Sequence, residues 1–143
     1  ICLKKHSSNF KSNRRKEKAS TIKEIQSPSG FKIQIGGNNR QNELISLRKG
    51  KKGDLWFHAQ ETPGSHVVLK SSNGLVDEKD IQLAADLASF FSRARGNKLV
   101  PIIMVPIENL QRISGALPGT VSHRGGRVLW GKSERAEKYF HHK

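Results

Sequence analysis

The sequence predicts an α+β domain, a mostly antiparallel sheet of about five or six strands with one principal helix packed on one face. Three observations predict it. Several short segments alternate apolar with polar residues and stop at Gly, Pro or Asn, the signature of half-buried strands. One longer segment, Asp77 to Arg95, spaces its apolar residues by three and four, as a helix with a buried stripe does. No internal repeat divides the chain.

Residues 1–23 carry eight basic side chains and one acid, separated by Ser and Asn. Too little apolar surface is available there to offset the entropy of ordering, so residues 1–28 are expected to be a basic flexible tail or linker. Order is expected to begin near Ser29. Phe31 to Ile35 alternates as a strand and stops at Gly36-Gly37. The polar run from Asn38 is a loop leading into a short helical segment near 41–47. Lys49-Gly50-Lys51-Lys52-Gly53 is a turn into the next strand.

The stretch Asp54 to Lys70 holds one of two tryptophans and two of six histidines. With a period of two, Asp54, Trp56, His58 and Gln60 share one face, and Leu55, Phe57 and Ala59 the other. Pro63-Gly64 suits the centre of a type II turn, with Gly at positive φ. A five-residue loop, 61–65, sets Gln60 opposite His66 and Ala59 opposite Val67. His66 and Val68 then join the face of Trp56 and His58, a candidate site, while Val67 and Leu69 join the apolar face.

Asp77 and Asp80 supply acids to the start of the helix. Its stripe is Ile81, Ala84, Ala85, Leu87, Ala88 and Phe91, and Arg93 and Arg95 fall in the last turn before Gly96. Leu99 to Val105 is apolar and β-branched. Pro101 places it at a sheet edge, or itself at the strand's first residue. Ile107 to Ile113 fits a short strand or a helical turn. Leu117 to Thr120 is a turn into a strand ending at His123. Gly125-Gly126 makes a hairpin whose return strand is Arg127 to Trp130. The domain is expected to span 29–131, followed by a charged segment, 132–143, helical and carrying Tyr139 and Phe140.

The length suits one domain with a real core. The chain begins with Ile, so a fragment of a longer protein is expected. No segment approaches a membrane span, no signal peptide is visible, and the single Cys2 excludes an internal disulfide framework. A cytoplasmic setting fits. The net charge of +14 and a pI near 10.4 point to a polyanion partner, nucleic acid ahead of a membrane surface.

The candidate chemistry leaves alternatives open. Lys49, Lys51 and Lys52 make either a solvated loop or phosphate contacts. Arg93 and Arg95 either complement the helix dipole or bind phosphate. Trp56 either packs or offers a stacking platform for a base, as single-stranded RNA recognition uses. Asp54, His58 and His66 on one face admit a nucleic-acid-processing enzyme or a metal site. No His-Glu-x-x-His, Gly-x-Ser-x-Gly, P-loop or Gly-x-Gly-x-x-Gly motif supports those chemistries, so no catalytic residue, metal ligand or cofactor is assigned.

Asp54-Leu-Trp-Phe-His58-Ala, followed by Pro63-Gly64-Ser65-His66-Val-Val, resembles the signature of the NFACT-R domain of the Rqc/NEMF ribosome quality-control factors, also called fibronectin-binding-protein-like. Gly30-Phe31 to Ile35-Gly36, Asn38-Asn39, Asn42-Glu43-Leu44, the run Ala84-Ala85 to Ser92-Arg93-Ala94-Arg95, and Pro118-Gly119-Thr120-Val121 are similar to further family motifs, in order, over about 29–130. The chain departs at Leu110 to Gly115, where a Lys-Pro-containing segment is usual, and at Phe90-Phe91, where tyrosine is common. The resemblance implies an RNA-binding module with no catalysis of its own, within a factor that binds the large ribosomal subunit carrying stalled peptidyl-tRNA. Its partners are then rRNA or tRNA, that subunit, and other domains of the full-length factor, which promotes C-terminal tailing. In that setting Lys49, Lys51, Lys52, Arg93 and Arg95 would meet phosphate and Trp56, His58 and His66 form a recognition face. Asp54, Pro63, Gly64, Ser65, Pro118 and Gly119 would be signature or structural positions. The family's older name adds a surface fibronectin-binding adhesin as an alternative.

Overall fold

The structure is a computed structural model and describes residues 21–140. Six antiparallel strands form the main sheet in the order β1 (Lys23–Gln26), β2 (Lys32–Ile35), β4 (Val67–Leu69), β3 (Leu55–Ala59), β5 (Val100–Pro106) and β8 (Arg127–Gly131). A separate ribbon pairs β6 (Leu110–Arg112) with β7 (Val121–His123). Between β2 and β3 lie helix α1 (Asn39–Glu43) and a π-helical turn, Leu44–Arg48. Helix α2 (Glu78–Phe90) is the principal helix, and α3 (Ser133–Glu137) is followed by a 3-10 turn, Lys138–Phe140. The α+β class is as expected.

The alternation of the strands sorts their side chains into two cores. On one face Ile33, Ile35, Phe57, Ala59, Val67, Leu69, Val100 and Ile102 pack against the Ala84-Ala85-Leu87-Ala88 stripe of α2. Those alanines let the helix lie close to the sheet. A side chain such as Phe57, with no exposed surface, contributes roughly 1.5–3 kcal/mol by leaving water. On the other face Trp56, Val68, Ile103 and Val105 pack against Ile45, Ile107 and Leu110 from the π turn and the ribbon. The domain thus has three layers, helix, sheet and a thin cap.

Helix α2 begins where its acids predict. Asp77 is the N-cap, and Asp77 and Asp80 form a reciprocal capping box. It ends at Phe90, before Arg93 and Arg95, which therefore do not lie in a last helical turn. The reason is the 63–65 loop. Ser65 N–H donates to the Phe91 carbonyl (3.0 Å), Arg93 N–H donates to that of Pro63 (2.9 Å), and Gly64 bridges Ser92.

The same contacts reset the central hairpin. Phe57, not Ala59, stands opposite Val67, and Trp56 opposite Val68. The loop must reach across to α2, which lengthens it by two residues on the β3 side. A shift of two preserves every facing direction. Gly64 does not adopt positive φ; in this loop Glu61 does, at φ 55°. Gly64 is small for a different reason, since a Cβ there would lie 3.0 Å from Ser92 Cβ and 3.1 Å from its Cα.

Three other expectations change. Order reaches upstream of Ser29, because Lys23–Gln26 pairs with β2 as an edge strand with Ile25 opposite Ile33; the rest of the expected tail, residues 1–20, lies outside the described residues. The strand containing Pro101 is interior, between β3 and β8. Pro101 is tolerated because its carbonyl already accepts from Gln60 N–H (2.9 Å) where the β3 ladder ends, so its nitrogen faces a position beyond that ladder. Gly125-Gly126 is no hairpin. Both residues have positive φ and carry the chain from the ribbon to the main sheet, where β8 pairs with β5. Segment 107–113 takes both forms offered by its sequence, a 3-10 turn and then β6. The charged end packs on α2. Ala136 is fully buried, Phe140 stacks on Phe90 (5.2 Å between centroids), and Arg135 pairs with Asp86.

Candidate nucleic-acid interface

The two histidines of the hairpin meet as the retained parity requires. His58 stands across from His66, with ring centroids 5.4 Å apart, edge to face. Trp56 lies beneath them, its ring stacked with His58 (5.6 Å) and edge-on to His66 (5.2 Å). The ribbon brings in a third histidine, His123, 5.9 Å from Trp56. Together with Gln60 and Thr120 these side chains line a cleft of about 470 Å³ between the hairpin and β7.

Trp56 is 3% exposed, which is the packing alternative for that residue; its ring is not an open platform. Its Nε1 has no hydrogen-bond partner, one of two such buried side-chain atoms among the described residues, with Gln34 Oε1. Leaving a buried donor unmade costs about 1–3 kcal/mol. His66 is also buried. Its Nδ1 lies 2.8 Å from Ser46 Oγ, and its backbone N–H donates to Asn42 Oδ1 (3.1 Å). Burial, with a smaller push from nearby His58, pulls its pKa down to about 3. His58 is half-buried, and its pKa is lowered for the same first reason, opposed by backbone hydrogen bonds with Ala59 and Gly64. At neutral pH both rings are uncharged.

Asp54 is not part of this group. It is fully buried at the far end of β3 and accepts from Lys51 N–H (3.0 Å), Ser72 N–H (3.1 Å) and Lys70 Nζ (2.5 Å). In an extended strand four residues separate it from His58 by roughly 13 Å. The Asp54, His58 and His66 set required by the enzyme alternative is therefore not assembled. Asp54 fixes the Lys51–Gly53 turn and the start of the hairpin. Among the described residues no three His, Cys, Asp or Glu side chains are grouped to hold a metal.

The predicted phosphate contacts fall into two groups. Exposed Lys49, Lys51 and Lys52 surround the turn at the start of β3, where the Lys49 carbonyl accepts from Lys70 Nζ (3.1 Å). Arg93 and Arg95 lie by the 63–65 loop at the opposite end, with β3, roughly 16 Å long, between. Arg95 sits over the Phe90 ring at 3.9 Å. Arg93 borders a second cleft of about 410 Å³ with Gly36, Gly37, Asn38 and the Pro63-Gly64-Ser65 loop. Residues 21–140 hold eighteen Lys and Arg against eleven acids. Among the described residues the ion pairs are Lys70–Asp54, Arg112–Glu43, Arg127–Glu78 and Arg135–Asp86, and none engages Lys49, Lys51, Lys52, Arg93 or Arg95.

Pro118 and Gly119 form a turn (Thr120 N–H to Leu117 carbonyl, 3.1 Å), and Gly119, at φ 86°, passes so close to α1 that a Cβ would lie 2.8 Å from the Asn39 carbonyl oxygen. Sequence reasoning missed Ser46, Asn42 and His123. Asn42 lay in a noted asparagine-rich run; Ser46 and His123 carried no local signal, because long-range packing delivers them.

A small basic α+β module, with a cleft of aromatic, apolar and polar side chains on one sheet face and, among the described residues, cations without acidic partners at both hairpin ends, is the class of protein that these features define. The chain belongs to the family of NFACT protein RNA binding domains, which matches residues 21–125. It is 42% identical over 97 residues to the Rqc2 homolog RqcH of Streptococcus suis (68% of this chain, 17% of that protein) and 39% identical over 102 residues to that of Bacillus subtilis (71% and 18%). The chain thus spans less than a fifth of these relatives' length. The solved structure of the C-terminal of the fibronectin/fibrinogen-binding protein from Streptococcus suis superposes with a TM-score of 0.77 at 36% identity, covering 83% of this chain and 48% of that one.

Proposed function

We propose that this chain is the RNA- and ribosome-contacting module of a ribosome quality-control factor, binding without catalysing a reaction of its own. One observation carries the reading beyond family membership: among the described residues, the exposed cations at both ends of the hairpin lack acidic partners, while several of the domain's acids are engaged inside it. Asp54, Asp77, Asp80 and Asp86 cap backbone or pair locally. Lys49, Lys51 and Lys52 at one end and Arg93 and Arg95 at the other would track a phosphate backbone, with the His58 edge between them. In the full-length factor the module would help engage rRNA or tRNA on a large subunit holding stalled peptidyl-tRNA, other domains carrying out C-terminal tailing. That role sets it in the cytoplasm; no helix among the described residues is long and apolar enough to cross a membrane.

The test is RNA affinity against salt. Each lost phosphate contact should lower the log–log slope by about 0.7 for single-stranded RNA, so Lys51→Ala/Lys52→Ala/Arg95→Ala should reduce it by roughly 2. A salt-independent affinity, or an unchanged slope, refutes these carriers. The name of the solved neighbour raises adhesion as a second reading; saturable fibronectin binding that survives the triple substitution would favour it.

A further inference from the structure

We propose that the exposed face of β8, centred on Trp130, is a stacking platform for an unpaired base of single-stranded RNA, with Arg124 and Lys132 meeting the flanking phosphates. Such a platform rests on the RNA-binding reading and supplies the base contact that buried Trp56 does not. The first observation is where Trp130 points. Leu129 packs in the core beneath α2, so its neighbours Val128 and Trp130 face the other side of the sheet, Val128 opposite Ile103 and Trp130 opposite Pro101. The π turn and the β6–β7 ribbon cover Ile103, which is 8% exposed, but leave Val128 at 47% and Trp130 at 57%. Single exposed apolar side chains are ordinary; two successive positions of one sheet face, one of them a tryptophan, make a flat patch.

The second is the strand's free edge, which side chains of α2 hold. Gln82 Nε2 donates to the Trp130 carbonyl (2.8 Å), the Lys132 N–H donates to Asp86 Oδ1 (2.8 Å), and Arg127 reaches Glu78 (3.3 Å). Backbone groups engaged in this way disfavour the addition of a partner strand. A ligand then meets β8 face-on, as a stacked ring does.

The third is charge. Residues 109–133 contain no Asp or Glu and four basic side chains, Arg112, Arg124, Arg127 and Lys132. Arg112 and Arg127 pair with Glu43 and Glu78. Among the described residues Arg124, which precedes β8, and Lys132, which follows it, take part in no ion pair. An exposed indole flanked by free cations suits a polyanion that carries aromatic rings, and single-stranded RNA is bound by that combination of stacking and phosphate contact.

The experiment titrates the full chain with oligouridylate, oligoadenylate and, as a polyanion without bases, inorganic polyphosphate, following affinity by calorimetry and the indole by fluorescence. Both oligonucleotides should quench the emission that Trp130→Phe removes, and polyphosphate should bind without quenching it. Trp130→Thr, which keeps strand propensity at an exposed position, should weaken both oligonucleotides roughly fivefold to a hundredfold, the range that stacking of one base supplies. It should leave the salt slope and polyphosphate binding unchanged, and Trp130→Phe should restore most of the affinity. Arg124→Gln/Lys132→Gln should instead lower the slope by about 1.4. If the oligonucleotides bind with a salt-dependent affinity that Trp130→Thr leaves unchanged, or without quenching, the platform is wrong and the RNA reading stands. A chain that binds neither oligonucleotide removes the RNA reading and the platform with it. A chain that sediments as a dimer, and as a monomer once Trp130 is replaced, has this face covered by a second copy, which overturns the platform.

Discussion

Protonating His66 should unfold this domain progressively below pH 6.5. The imidazole is 5% exposed, contacts Ser46 Oγ at 2.8 Å and faces His58, and its pKa is held at about 3 against 6.5 in the unfolded chain. Between these values the unfolded state binds the extra proton, so stability falls as pH falls. At pH 7 the linkage is negligible. At pH 5 the unfolded histidine is protonated about thirtyfold over neutral while the folded one is neutral, a loss of about 2 kcal/mol. For a domain of this size that is a fall in Tm of roughly 5–10 °C. The assay is thermal unfolding at pH 7 and 5 for the native chain and for His66→Gln. The variant starts less stable, having lost the Ser46 contact, but its decrease between the two pH values should be smaller by about 2 kcal/mol. An equal decrease in both proteins, or a folded-state imidazole that titrates near 6 by NMR, would refute the reasoning.

Asp54→Ala should cost about 3 kcal/mol or more by urea unfolding, because it strands Lys70 and removes the acceptor of two backbone N–H groups; a loss below 1 kcal/mol would mean that the turn holds without it. Gly36→Ala should be severely destabilising, since the new Cβ would lie 2.0 Å from Asn42 Oδ1, the acceptor of His66 N–H. Hydrogen exchange at His66 would show whether that bond is lost. Gly64→Ala should cost roughly 1–3 kcal/mol through the Ser92 contact, and proteolysis at the 61–65 loop should become faster. Phe140→Ala should lose roughly 1–3 kcal/mol of packing on Phe90 and Phe91, measurable by thermal unfolding.

By itself the sequence determined the fold class, the helix start and the sorting of the hairpin onto two faces. Those follow from local chemistry. Period two assigns faces whatever the register, Asp77 and Asp80 cap a helix on their own, and the alanine stripe marks the side against the sheet. Family membership was legible for a similar reason, since its motifs are short contiguous runs. Only the tertiary structure decided what depends on distant partners. The helix stops at Phe90 because the Pro63–Ser65 backbone takes up the bonds beyond it, and the hairpin register shifts for that same reason. Strand β1 exists because β2 offers it an edge, as one isoleucine among Lys, Glu and Gln could not announce. The face of Trp56 and His58 reads in the sequence as a candidate site, and the π turn and the β6–β7 ribbon pack against it. That cover buries Trp56, neutralises His66 and delivers His123. It also turns an apparent two-histidine surface into a walled cleft, while Asp54, on the same face in sequence, is held by Lys70 at the other end of the strand.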